Sequence, residues 1–335
     1  MINRREFLAG SLMLAGYAAM GGSNVFALPV SDAKVKAVSM KITCTMEVLK
    51  PPRNKNINIW TPIPSDNSEQ KISNLSVKSR MQYKMTEDIS NRNRMFFFNT
   101  DKLTAGEAIT MKYMMVRKTA DVAEDRDERP EKHIEPSEWE RWDDNIARYV
   151  DELVGKENDP VKIGRKIYDA LIDSLKYVHE ACGRGVSTLM FEEKIGRCDE
   201  FHALFRSMMM YKKIPVKWEQ GMALPYPSVI KKSGEVEADC INAHSWVKFY
   251  IGDNKWMPVD LSEAKRRPDL RDFYFGKLAA NRVKMSNGRG ITLNPPQKSP
   301  MNTFPYTYAE ADGIPLIYGH NYKNRMKYEV IKIEA

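Results

Sequence analysis

The sequence contains few cysteines and few histidines, and both shortages limit the chemistry available to it. Its 335 residues include four cysteines and five histidines. No two cysteines form a C-x-x-C pair, so neither a zinc site nor a disulfide-dense scaffold is indicated. No carboxylate loop has EF-hand spacing, and we predict neither a metal nor another cofactor. Individual side chains are therefore the expected source of any catalysis.

Long apolar runs are also missing, except at the N-terminus, so the mature chain is predicted to have no integral membrane span. In residues 1–27, Arg4 and Arg5 precede an uncharged stretch, residues 8–20, and a weak cleavage pattern at 25–27. This order is typical of an export signal, and the paired arginines favour the twin-arginine type. An ordinary secretory signal and a retained anchor are the alternatives. All three predict an exported protein, either periplasmic or secreted.

The charge balance gives little support to a nucleic-acid partner. Fifty-two basic and 44 acidic residues leave a net charge of +8. Acidic residues are interleaved with the basic ones along most of the chain, which favours a basic soluble protein with dispersed charges. The sequence leaves the oligomeric state open.

The distribution of apolar residues divides the mature chain into three parts. Residues 33–118 alternate apolar and polar positions between turn clusters, which predicts an antiparallel, sandwich-like β-domain. Residues 119–136 form a charged linker. Residues 137–335 show helical spacing first and strand patterns afterwards, which predicts an α+β domain with a C-terminal extension. Within it, Ser137 and Asp159 are the expected N-caps of the first two helices.

A single cysteine, Cys198, stands where a loop meets a predicted helix. The apolar residues that follow it, from Phe201 to Met209, recur at helical spacing and mark a side that faces the core. A thiol at a helix N-terminus is close to the positive end of the helix dipole and to unpaired N–H groups. Both favour the nucleophilic thiolate, so we expect a lowered pKa for Cys198.

A nucleophilic cysteine needs a histidine as base and a group that orients the imidazole. His244 begins an alternating strand, and Asp260 lies at the end of the next one. An even-length turn would place these two side chains on opposite faces of the sheet. An odd-length turn, which Gly252 would permit, or a bulge at Pro258 makes them diagonal neighbours within reach of each other.

The main competitor for the role of base is His202, four residues after Cys198 and on the same side of the helix. No orienting residue stands near it in the sequence, and its position among apolar residues also suits a core histidine. Cys240, close to the His244 strand, is interpreted as structural or as a disulfide partner of Cys182. The sequence does not decide between these two roles.

Four ordered motifs resemble the transglutaminase-like superfamily, a branch of the papain-like cysteine fold. They are Gly196-Arg-Cys-Asp-Glu-Phe, Lys213-Ile-Pro-Val with Gly221, His244-Ser-Trp-Val-Lys-Phe-Tyr, and Trp256-Met-Pro-Val-Asp260. Looser similarity to bacterial exported members covers most of the mature chain. The resemblance implies a triad of Cys198 as nucleophile, His244 as base and acid, and Asp260 as orienting residue.

The same resemblance implies acyl transfer at a peptide or protein amide through a thioester, with a cell-wall peptide as one candidate substrate. The backbone N–H of Cys198 would be one oxyanion donor. Tyr177, His179 and Gln220 are candidates for the second, and Trp218, Trp246 and His202 are candidate cleft residues. Hydrolysis is favoured over amine transfer because water is the abundant acceptor. A catalytically silent protein that keeps the fold for binding or scaffolding is the alternative.

Overall fold

The computed structural model describes residues 32–53, 56–126, 128–179, 182–226 and 232–335. The predicted export signal lies outside these residues.

The chain has an α+β architecture, as predicted. The helices are α1 (Asp144–Val154), α2 (Pro160–Ser174), α3 (Ser187–Glu193), α4 (Cys198–Tyr211) and α5 (Leu261–Arg266). The strands are β1 (Ala37–Val48), β2 (Ile57–Ile63), β3 (Gln70–Lys78), β4 (Tyr83–Glu87), β5 (Arg94–Thr100), β6 (Ala108–Lys118), β7 (Ala123–Glu124), β8 (Lys176–Tyr177), β9 (Ile195–Gly196), β10 (Val216–Ala223), β11 (Ser233–Glu237), β12 (Ala243–Tyr250), β13 (Lys255–Val259), β14 (Arg282–Asn287), β15 (Tyr308–Ala311), β16 (Ile314–Pro315) and β17 (Tyr322–Glu334).

Two five-stranded antiparallel sheets share one apolar core and form a β-sandwich. Their strand orders are β11-β17-β1-β6-β3 and β16-β15-β2-β5-β4. Alternate residues of β1, among them Met40 and Ile42, are buried against β2 and β5, as the two-residue period predicts. Strands from both predicted domains build these sheets, since β17 pairs with β1 and β15 pairs with β2. The domain limits therefore stay a proposal.

The third five-stranded sheet, β14-β10-β12-β13-β7, carries the helices and holds a second apolar core. Helix α4 lies at the centre of this core, and its residues from Phe201 to Met210 are all buried. No helix in the described ranges combines the length and the apolar character needed to cross a bilayer.

Of the two predicted helix N-caps, one agrees with the structure and one does not. Asp159 caps α2 through hydrogen bonds from the backbone N–H groups of Val161 and Lys162, as predicted. The prediction that Ser137 begins the first helix is wrong. Helix α1 starts at Asp144, because the Asp143 carboxylate accepts the first backbone N–H groups of the helix.

Candidate active site

Cys198 is the first residue of α4, and only 3 % of it is exposed. Its Sγ lies 3.8 Å from the carbonyl oxygen of Ala243 and 3.9 Å from Asp199 Oδ1. Burial raises the pKa of the Cys198 thiol, and Asp199 adds to this effect, while the guanidinium of Arg197 opposes it. The lowered pKa expected from the helix start is therefore wrong for this closed site. Desolvation outweighs the helix dipole, and the sulfur keeps its proton.

His244 and Asp260 are joined by a hydrogen bond. Strands β12 and β13 pair with Tyr250 opposite Trp256, and the connection of three residues, 252–254, has an odd length. This register makes His244 and Asp260 diagonal neighbours, and His244 Nε2 donates to Asp260 Oδ2 at 2.7 Å. Burial lowers the pKa of His244, so the imidazole is neutral near pH 7. With the proton on Nε2, the lone pair of Nδ1 is available for a proton.

Asp260 is completely buried but well satisfied. Its Oδ2 also accepts a hydrogen bond from Arg282 Nη1 at 2.8 Å. Its Oδ1 accepts the Ser262 hydroxyl and the backbone N–H of Glu263, each at 3.0 Å, and so caps α5. Burial alone would raise the pKa of Asp260, but His244 and Arg282 hold it well below its ordinary value. Asp260 is therefore a permanent anion that fixes the imidazole of His244.

Both ring nitrogens of His202 form hydrogen bonds with backbone groups. The imidazole can therefore be buried in the apolar core without an unpaired polar atom. Its Nδ1 donates to the carbonyl oxygen of Cys198 at 2.7 Å, and its Nε2 accepts the N–H of Leu261 at 3.1 Å. Burial lowers the pKa of His202 to about 4. His202 therefore ties the first turn of α4 to the residue after Asp260, and it has no lone pair left for the Cys198 proton.

Two loops flank the start of α4, and Glu200 and Arg197 bind them by hydrogen bonds. The carboxylate of Glu200 accepts the backbone N–H groups of Gly185, at 2.8 Å, and Arg197, at 2.9 Å. Arg197 Nη1 donates to the carbonyl oxygen of Cys240 at 2.7 Å. A disulfide between Cys240 and Cys182, whose Cα atoms are 5.3 Å apart, joins these loops.

The oxyanion-donor candidates take three different positions. Tyr177 pairs with Gly196, next to the start of α4. Burial raises the pKa of its phenol, and Cys198 adds to this effect. His179 is exposed, and its ring stacks on that of Tyr177 at 6.4 Å. Gln220 is buried on β10, where its Nε2 donates to the carbonyl oxygen of Gly288 at 3.2 Å.

The two candidate cleft tryptophans differ in what surrounds them. Trp246 is fully buried beside His244, and its Nε1 donates to Glu219 at 2.6 Å. Trp218 contacts the His202 ring on one side and lines a cavity on the other. Arg282 was missed by sequence reasoning, since no local pattern connects it with Asp260. No group of three or more metal-ligating side chains occurs within the described ranges.

Comparison with known proteins identifies the family of one segment of this chain. Residues 147–261, which include Cys198, His244 and Asp260, match the model of the transglutaminase-like superfamily. This segment is a transglutaminase-like core. A solved structure named "putative cysteine protease", from Cytophaga hutchinsonii, superimposes with a TM-score of 0.52 and 16 % identity, over 88 % of this chain and 98 % of that one. This likeness shows a shared fold.

Two relatives by sequence bear the name "uncharacterized protein". One, from Haemophilus influenzae (strain ATCC 51907 / DSM 11121 / KW20 / Rd), is 23 % identical over 306 residues, which cover 77 % of this chain and 82 % of the relative. The other, YebA from Bacillus subtilis (strain 168), is 29 % identical over 85 residues, or 25 % of this chain and 12 % of YebA. The transglutaminase-like core is assigned from the family model and from the shared fold. The names of the two relatives specify no reaction.

Proposed function

We propose that this chain is a cysteine enzyme that cleaves an amide of a peptide or protein, with Cys198, His244 and Asp260 as its triad. The observation that carries the proposal is the hydrogen bond of 2.7 Å between His244 and Asp260. His244 lies on β12, and the carbonyl oxygen of Ala243, the residue before it, is 3.8 Å from the Cys198 sulfur. A buried carboxylate that fixes one ring nitrogen, next to a thiol, is the arrangement that nucleophilic cysteine catalysis requires.

The proposed reaction begins with transfer of the Cys198 thiol proton to His244 Nδ1 as the sulfur attacks the carbonyl carbon. The oxyanion that forms accepts the backbone N–H of Cys198, which the first turn of α4 leaves without a helical partner. The C–N bond breaks, and His244 gives its proton to the leaving amine. His244 then takes a proton from water, which attacks the thioester carbon. The C–S bond breaks, the acid is released, and His244 returns the proton to the Cys198 sulfur. Asp260 stays ionised throughout and stabilises the imidazolium.

Hydrolysis is the favoured outcome because water is the abundant acceptor. The proposed substrate is a peptide or protein, with a cell-wall peptide as one candidate. The proposed site of action is outside the cytoplasm. The signal pattern in residues 1–27 supports export, and so does the Cys182–Cys240 disulfide, since disulfides persist in oxidising compartments.

The test uses wild-type protein, Cys198→Ala and Cys44→Ala. Cys44 is the matched control because it is the other free cysteine within the described ranges, and burial raises its pKa to about 12. Each protein is incubated with glutamine-containing peptides and peptidoglycan fragments, and products are read by mass spectrometry. We expect products from wild type and Cys44→Ala and none from Cys198→Ala.

The second candidate is a catalytically silent binding protein, and the 3 % exposure and raised pKa of Cys198 favour it. Iodoacetamide distinguishes the two candidates. An enzyme should alkylate at Cys198 faster than at Cys44, and the rate should rise with pH because the resting sulfur is a thiol. Equal, slow alkylation of both cysteines, together with no products, would favour the binding protein.

A further inference from the structure

A cavity of about 250 Å³ lies where the β-sandwich, the linker and the transglutaminase-like core meet. We call it the junction cavity. The hairpin between β4 and β5 contributes Asn91, the linker contributes Lys132, the core contributes Arg206 and Trp218, and the segment after β14 contributes Arg289. Ligand sites occur preferentially at such junctions between parts of a fold.

Hydrogen bonds and close packing hold the hairpin wall of this cavity in place. Asn93 Nδ2 donates to the carbonyl oxygen of Asn287 at 2.9 Å, and Asn93 Oδ1 accepts the N–H of Asn287 at 2.7 Å. Gly288 has a φ of +78°, and a Cβ at this position would lie 1.9 Å from Asn91 Oδ1. A side chain at residue 288 would therefore displace the side chain of Asn91.

The lining of the junction cavity carries an excess of positive charge. Five Lys or Arg and three Glu residues line it. Glu140 is buried between Arg206 Nη1 and Arg289 Nη1, each at 2.9 Å. Burial alone would raise the pKa of Glu140, but these guanidinium groups hold it below its ordinary value. Lys217 pairs with Asp125 and Arg92 with Glu87, both outside the lining, so the local excess is that of Arg206 and Arg289, which share the single carboxylate of Glu140.

Two buried donors of this lining have no acceptor among the described residues. They are Trp218 Nε1 and Arg289 Nη2, and both side chains are about 97 % buried. The Arg289 guanidinium lies over the Trp218 ring at 4.6 Å, so the two donors belong to one stacked pair. A buried donor without an acceptor has lost its hydrogen bonds to water without replacement, which is unfavourable. An acceptor that enters the cavity would remove this cost.

We propose that the junction cavity binds a carboxylate of the ligand, either an acidic side chain or the C-terminal carboxylate of a peptide. The ligand class rests on the proposed function. Arg289 Nη1 donates to the carbonyl oxygen of Gly185 at 2.9 Å. A Cβ on Gly185 would lie 3.2 Å from the Cβ of Asp199, the residue after Cys198. A carboxylate held by Arg289 would thus sit on the Asp199 side of the nucleophile and select acidic peptides.

The test measures binding to the Cys198→Ala protein by calorimetry, so that it does not depend on turnover. The three probes are acetyl-glutamate amide, acetyl-glutamine and acetyl-glutamine amide, which carry a side-chain carboxylate, a terminal carboxylate and neither. We expect at least one carboxylate probe to bind about tenfold more tightly than the neutral probe. The carboxylate probe that binds more tightly shows whether the cavity prefers an acidic side chain or a C-terminal carboxylate.

Two further variants locate the binding in the junction cavity. Trp218→Phe removes the indole N–H and keeps most of the ring, and it should weaken the preferred probe about tenfold. Trp60→Phe is the matched control, since Trp60 Nε1 already donates to the carbonyl oxygen of Pro295. In NMR spectra, the indole N–H signal of Trp218 should shift when the probe binds.

Lys132→Gln, at an exposed position of the rim, provides a second test if Trp218→Phe does not fold. It should weaken the carboxylate probes and leave the neutral probe unchanged. Equal affinity for all three probes, or unchanged carboxylate affinity in these folded variants, would overturn the proposal. If carboxylate binding is found and no amide is cleaved by wild type, the cavity assignment stands and the enzyme assignment fails.

Discussion

Arg282 and His244 donate to the same oxygen of Asp260, at 2.8 and 2.7 Å. The side chain of Arg282 is only 2 % exposed, and its Nε is held by the carbonyl oxygen of Ala279 at 3.1 Å. A buried carboxylate between an arginine and a histidine remains ionised even when the imidazole is neutral. Arg282 therefore acts through Asp260, as a positioning residue for the imidazole.

The first prediction concerns Arg282→Met, which removes the cation next to Asp260. We expect a loss of about 3–5 kcal/mol in the free energy of unfolding, because an ion would be left buried without its partner. Arg282 also lowers the pKa of His244. Its removal should therefore raise that pKa and move the acidic limb of the pH–rate profile to higher pH.

Urea unfolding and pH–rate profiles measure both effects of Arg282→Met. Arg282→Lys keeps the charge and should restore the acidic limb in part. An unchanged limb in a folded Arg282→Met protein would show that Arg282 only supports the fold.

The second prediction concerns Asp260→Asn, which keeps the shape of the side chain and its ability to cap α5. The asparagine amide would donate to His244 Nε2, so the proton would move to Nδ1 and block its lone pair. We expect kcat/KM to fall about 10³- to 10⁴-fold. The free energy of unfolding should also fall by about 3–5 kcal/mol, because Arg282 would be left buried without its counter-ion.

Ser262→Ala is the matched control for Asp260→Asn. It removes only the hydroxyl that donates to Asp260 Oδ1. It should cost about 1 kcal/mol in stability and leave the rate close to that of wild type. Comparable rates in Asp260→Asn and wild type would exclude Asp260 as the orienting residue.

Local patterns predicted the parts of the site that depend on neighbours in sequence. The apolar spacing from Phe201 onwards placed Cys198 at the start of a buried helix. The two-residue period of strands showed that His244 and Asp260 need an odd-length connection, and the three-residue turn provides it. These features follow from backbone geometry over a few residues.

Other features depend on contacts between distant segments and left no sequence signal. Arg282 approaches Asp260 because β14 pairs with β10, and β10 in turn pairs with the strand of His244. The protonated state of Cys198 results from the packing of residues around the sulfur, which a helix-start argument does not include. The prediction of the start of α1 is wrong because Ser137 and Asp143 both accept backbone N–H groups two and three residues later, and a helix follows only Asp143.

The third prediction is a pH dependence of stability that arises from His202. Its folded pKa of about 4 lies below its ordinary value of 6.5, so the unfolded chain binds this proton more tightly. The contribution of His202 is complete above about pH 6.5 and declines as the pH falls towards 4. The whole effect is about 3 kcal/mol.

Urea unfolding at pH 7.5 and pH 4.5 measures this contribution. His202→Gln can still donate to Cys198 and accept from Leu261, but it does not titrate, so its stability should fall less with acid. His320→Gln shows what the same exchange does at an exposed site. Parallel losses in wild type and His202→Gln would assign the acid sensitivity to other groups.

The last prediction concerns the Cys182–Cys240 disulfide, which closes a loop of 58 residues around the start of α4. Replacing both cysteines with serine should cost about 2–4 kcal/mol, because the unfolded chain regains the freedom that the crosslink removes. The local effect should be larger at Cys198 than elsewhere. Arg197 and Glu200 would still hold the two loops by hydrogen bonds, but the covalent link between the loops would be lost.

Peptide mapping after iodoacetamide treatment measures this local effect. We expect Cys198 to alkylate faster in the double serine variant, because its sulfur is shielded by loops that the disulfide joins. Cys44 lies in β1 of the β-sandwich and should keep its wild-type rate. A higher rate at both cysteines would indicate general loosening of the fold. A higher rate at Cys198 alone would show that the crosslink controls access to the nucleophile.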